Sequence, residues 1–128
     1  MEIKTTSIRN INLPGTLDIT VKGQHPIGRI FAPTWEMVMS YKNSENEAAN
    51  AKTVEEYNSI IAWAKNLYTL QYNNIILRSQ HEHRPMWEEL VKRPLIIFVC
   101  YCKPKAFCHR VLLAEYFQSI GAVYTGEL

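Results

Sequence analysis

Leu95-Ile96-Ile97-Phe98-Val99-Cys100-Tyr101 is the stretch that decides the fold. An apolar run with no polar alternation is what a strand needs when helices cover both faces of its sheet. Pro94 marks its start, and Lys103-Pro104-Lys105 reads as the loop that follows. Beyond the loop, Val111, Leu112, Leu113, Ala114, Tyr116, Phe117 and Ile120 form a helical stretch ended by Gly121, and Val123-Tyr124 can add a last short strand. A strand joined to a strand through a helix is the unit of a parallel sheet.

Working back toward the N-terminus, Pro85 opens a short helix through Lys92, with Trp87, Leu90 and Val91 available for burial. His81-Glu82-His83 before it reads as a solvated turn. Thr53-Val54-Glu55-Glu56 has the form of a capping box, and Val54, Tyr57, Ile61, Ala64 and Tyr68 continue at helical spacing to about Tyr72. Thr34 caps another helix running to about Lys42, and Asn43 to Lys52 reads as an exposed loop. Gly23 to Pro33 is a connecting loop that can wall a pocket. Leu17, Ile19 and Val21 alternate with polar residues as in a half-buried strand, and Ile3 to Ile8 supplies another. The expected order is β-β-α-α-α-β-α-β. The fold class is α/β: a small three-layer sandwich with a mostly parallel, Rossmann-like sheet of about four strands, in one domain over residues 1–128.

Composition narrows the function. With 128 residues, 47% hydrophobic and 20% charged, disordered, collagenous and coiled-coil readings are excluded. A net charge of +2 without a run of like charges does not indicate nucleic acid as a partner. No stretch approaches the roughly 20 apolar residues of a membrane span, and Met1-Glu2-Ile3-Lys4 does not open a signal peptide. A cytoplasmic protein without membrane contact is expected. Three cysteines, all between positions 100 and 108, do not make a disulfide framework.

Ligands in open α/β sheets bind beyond the carboxyl ends of the strands, and Cys100, Cys102, Cys108, His109 and Arg110 all fall there. Three readings remain open. In the first, Cys108 is a nucleophile or redox thiol with its pKa lowered by the helix N-terminus, and His109 is its base. Arg110, with Lys103 nearby, then anchors a phosphate or carboxylate by paired hydrogen bonds, unless a carboxylate such as Glu115 takes its charge. In the second, Cys100, Cys102, Cys108 and His109 bind a thiophilic metal, although an adjacent Cys-His pair diverges on a helix. In the third, the cysteines only pack. A thiol-phosphatase or rhodanese cradle fits less well, because Arg110 lies eight residues after Cys102 where about six are usual.

With Phe98-Val99-Cys100-Tyr101-Cys102, Phe107-Cys108-His109-Arg110 and Gly126-Glu127 in view, the chain resembles the domain-of-unknown-function 488 family of small bacterial and phage proteins. Thr5-Thr6-Ser7, Ile19-Thr20, Pro26, Ala32-Pro33, Lys42 and Tyr57 extend the resemblance over nearly the whole chain. It implies a small α/β sheet with its site at Cys100, Cys108, His109 and Arg110, and it brings no known reaction. Many relatives carry Glu at the position of Cys102, which implies that Cys102 is dispensable as ligand or nucleophile.

His25 and Arg29, in the long loop, can close over a ligand. Trp35, Trp63 and Trp87 read as core or interface anchors, which leaves homo-oligomer formation open. The expected function is a small cytosolic anion-binding protein, acting through Cys108 as an enzyme on a nucleotide or phosphorylated metabolite. The alternative is a non-catalytic bacterial or phage binding or regulatory protein that holds a metal or ligand at the same residues. The sequence leaves the cofactor unknown.

Overall fold

The computed structural model describes residues 1–103 and 106–128; Pro104 and Lys105, in the expected loop, lie outside the described residues. Four strands, β1 (Glu2–Ser7), β2 (Thr16–Asp18), β3 (Leu95–Cys100) and β4 (Val123–Glu127), form one sheet in the order β2-β3-β1-β4. Every pairing is parallel. Four helices, α1 (Trp35–Ala49), α2 (Val54–Glu82), α3 (Arg84–Leu90) and α4 (His109–Ser119), complete an α/β fold consistent with a three-layer sandwich. The element order matches the one expected.

β3 carries the expected burial, its residues from Ile96 to Cys100 being inaccessible to solvent. Under it Phe31, Trp87, Phe98 and Phe117 interlock, with Phe31 edge-on to Trp87 at 5.1 Å and Trp87 stacked on Phe117 at 4.9 Å. Aromatic pairs in these geometries add to the stabilisation from burial alone.

Three boundaries differ from the sequence reading. β2 stops at Asp18 rather than continuing to Val21, because the Asp18 carboxylate accepts the Thr20 N–H and turns the chain at Gly23. α1 runs on through the expected Asn43–Lys52 loop to Ala49, because Ser44 and Ala48 find burial against α2 that their polar surroundings hide. α2 passes Tyr72 and exposed Asn73-Asn74 to reach Glu82, held by the buried Ile76 and Ser79. His81 and Glu82 therefore end a helix, and His83 is the joint to α3.

Two glycines are required by geometry. A Cβ on Gly28 would lie 1.9 Å from the Asp18 carbonyl oxygen, so only glycine lets the 23–31 loop close on β2. Gly126 has φ +108° where the β1–β4 register shifts. Beyond that bulge Glu127 is still paired with Thr5 of β1.

Candidate functional site: a buried three-thiol cluster

The last residues of the four strands are Ser7, Asp18, Cys100 and Glu127. Ser7 lies beside Cys100 in the β1–β3 register. Cys108 is the N-cap residue of α4, so His109 and Arg110 form that helix's first turn at the same edge.

The Sγ atoms of Cys100, Cys102 and Cys108 lie within 4.8 Å of one another. Cys100 Sγ accepts from the Cys102 backbone N–H at 3.2 Å and from Arg110 Nη1 at 3.2 Å, and it lies 2.7 Å from Cys108 Sγ. Donors converging on one sulfur are the environment of a thiolate. Hydrogen bonds from the Cys102 and Cys108 thiols hold Cys100 far below the usual thiol range. The other two move the opposite way. Cys102 is pushed up to about 11, chiefly by its hydrogen bond to Cys100. Burial, then hydrogen bonding to Cys100, pushes Cys108 up.

His109 is fixed at both nitrogens. Its Nε2 lies 2.7 Å from the Ile19 carbonyl oxygen, which only accepts, so Nε2 carries the hydrogen. Nδ1 then presents a lone pair to Cys108 Sγ at 3.4 Å. Burial lowers the imidazole pKa and keeps the ring neutral. Cys108 Sγ thus lies within hydrogen-bond reach of both Cys100 Sγ and His109 Nδ1.

Arg110 is the hub. Nε and Nη2 grip Glu127 at 2.6 and 3.1 Å; Nη1 reaches Cys100 Sγ and the Cys102 carbonyl at 3.2 and 3.4 Å, and Nη2 also donates to the Lys103 carbonyl at 2.9 Å. These bonds use all five guanidinium N–H groups. Burial opposes the charge, but the Glu127 carboxylate and the nearby sulfurs more than offset it and raise the Arg110 pKa.

The expected residues are therefore brought together, with altered roles. Cys108, His109 and Arg110 are buried rather than lining an open pocket, because the first turn of α4 packs down on the sheet. The carboxylate paired with Arg110 is Glu127, not Glu115. The hydrogen-bond donors converge on Cys100 Sγ rather than on Cys108 Sγ. Half-buried Cys102 and exposed Tyr101 and Lys103 make the solvent side. Among the described residues, the three-sulfur group does not include His109 as a fourth metal-ligating member. His25 and Arg29 brace their own loop: His25 Nδ1 accepts from the Ile27 and Gly28 N–H groups, and Arg29 Nη1 donates to the Gly23 carbonyl.

Sequence reasoning did not assign a site role to Glu127 or to the aromatic cover from α1 and α2. Phe107 contacts Tyr41 and Tyr68 at 5.3 and 5.5 Å, and Tyr72 lies edge-on to His109 at 5.4 Å. Burial holds the Tyr68 and Tyr72 phenols neutral, raising both pKa values. The i, i+4 spacing of Tyr68 and Tyr72 was a signal, but it serves packing equally well. No described helix is long and apolar enough to cross a membrane.

Comparison with curated proteins and with solved structures finds no match. The sequence profile described as the active DUF488-N3 subclade (DUF488-N3a) matches residues 27–121, which span α1 to α4 and hold the three thiols, His109 and Arg110. The chain belongs to the DUF488 family.

Proposed function

We propose that the chain is a cysteine-dependent enzyme of the cytosol acting on a small anionic substrate, a nucleotide or phosphorylated metabolite. Cys100 is its activated thiolate, Cys108 and His109 are its proton partners, and Arg110 positions the sulfur. The observation that carries this reading is the convergence of a guanidinium, a backbone N–H and a second sulfur on Cys100 Sγ. A thiol that only packs has no need of a buried cation. The family's description as an active subclade supports an enzymatic role. With the donors of Arg110 occupied, the anion is met by exposed Lys103 beside half-buried Cys102.

The test is thiolate absorbance as a function of pH, joined to the shift in thermal midpoint on adding AMP, ATP or inorganic phosphate. One thiolate at pH 6, lost in Cys100→Ser, and a higher midpoint with an anion present are expected. No thiolate below pH 8, or no shift with any of the anions, refutes the proposal.

The second reading, a structural metal site, is favoured by the three clustered sulfurs. Stoichiometric zinc in protein purified without an affinity tag would favour the metal.

A further inference from the structure

α2 is 29 residues long, and its buried positions Ala64, Tyr68, Tyr72, Ile76 and Ser79 define one face. Directly opposite, Trp63, Leu70 and Leu77 recur every seven residues and are 63%, 64% and 56% exposed. A row of large side chains repeating every seven residues is one of the two rows that make a helix-pairing seam, and these three span roughly 21 Å at 1.5 Å per residue. Exposed Glu56 lies seven residues before the row. Exposed Arg84, at the start of α3, lies seven residues after it.

We propose that this face pairs with the same face of a second copy of the chain, in antiparallel orientation about a twofold axis at Leu70. The order Glu56, Trp63, Leu70, Leu77, Arg84 is complementary to its own reverse. An antiparallel partner sets Leu70 on Leu70, Trp63 on Leu77 and Glu56 on Arg84, each of the last two pairs twice. A parallel partner would set Glu56 on Glu56 and Arg84 on Arg84, and like charges in register are repulsive. Glu56 spends one carboxylate oxygen on the Lys52 N–H, and a carboxylate has further acceptor sites for a guanidinium.

The shape agrees with the charge. Beside Leu77 lies a hollow of about 460 Å³, walled by residues that include His81, Arg84, Trp87, Val91 and Ile120. The pairing delivers an indole from the partner's Trp63 to that hollow, in each subunit alike. Such a symmetric contact closes at two copies and leaves no open end. The thiol cluster lies at the opposite end of α4 from Ile120, so the pairing does not require the proposed chemistry.

Sedimentation equilibrium of the full chain tests this. A concentration-dependent mass approaching twice 14.9 kDa is expected. Leu70→Glu places two carboxylates at the axis and should raise the dimer dissociation constant by at least roughly 30-fold, the size of a single hot-spot loss. Its thermal midpoint, extrapolated to the dilute monomer, should be unchanged, because Leu70 is exposed within the subunit. Arg84→Glu should weaken the dimer, and adding Glu56→Arg should restore it. Oxidative cross-linking in a Cys102→Ser background should be faster for Leu70→Cys than for Trp63→Cys. A mass of 14.9 kDa at every concentration overturns the proposal. So does a dimer indifferent to Leu70→Glu, or self-linking at position 63 as fast as at position 70, which would mean a parallel pair.

Discussion

Replacing Arg110 by Lys keeps the charge and removes the fork. The guanidinium places five N–H groups on Glu127, Cys100, Cys102 and Lys103, and its side chain is wholly buried, with Glu127 15% exposed. An ammonium has three donors on one atom, so at least two charge-assisted bonds are lost, at roughly 1.5–3 kcal/mol each. The expected loss is about 3–5 kcal/mol, the range found for breaking a buried ion pair. For a chain of this length that corresponds to a fall in Tm of roughly 10–20 °C. Calorimetry and urea unfolding at pH 7 measure the loss, while absorbance at 240 nm follows the Cys100 thiolate in the same sample. The two readouts should move together, with destabilisation and a rise in the pH at which the thiolate forms. A Tm within about 3 °C of wild type, with an unchanged thiolate, would refute the placement of Arg110 at the centre of the network.

Three further outcomes follow from the same geometry. Burial lowers the folded pKa of His109 below its ordinary 6.5, so the unfolded chain binds a proton there that the folded chain does not. Stability should be lost as pH falls below 6.5, by up to about 1.4 kcal/mol per pH unit, and His109→Gln should flatten that limb in urea titrations. Cys100 is also lowered, from an ordinary 9.0, so the stability it adds is full above pH 9 and is lost as pH falls toward its folded value. The stability difference between wild type and Cys100→Ala should therefore grow with pH between 7 and 9; a difference that shrinks would show that Cys100 is a thiol in the fold. Gly28→Ala puts a methyl group onto the Asp18 carbonyl oxygen and should cost about 1–3 kcal/mol.

The sequence alone determined what depends on local pattern. An unbroken apolar run of seven residues, rich in β-branched side chains and set between Pro94 and the Lys103-Pro104 loop, is too short for a buried helix and suits a covered strand, so β3 and its strand–loop–helix continuation were legible, and with them the position of Cys100, Cys108, His109 and Arg110. The capping box placed the start of α2 because its hydrogen bonds join residues three apart, as the bond from the Glu56 N–H to Thr53 Oγ1 does. The tertiary structure decided whatever depends on partners distant in the chain. Whether Asn43–Ala49 is loop or helix turned on burial of Ser44 and Ala48 against α2, which no local propensity encodes. Where the Arg110 guanidinium sits turned on Glu127, 17 residues away in the chain. That pair of charge-assisted bonds exists only once β4 docks on β1 and brings the carboxylate to the start of α4, a proximity that no local pattern encodes.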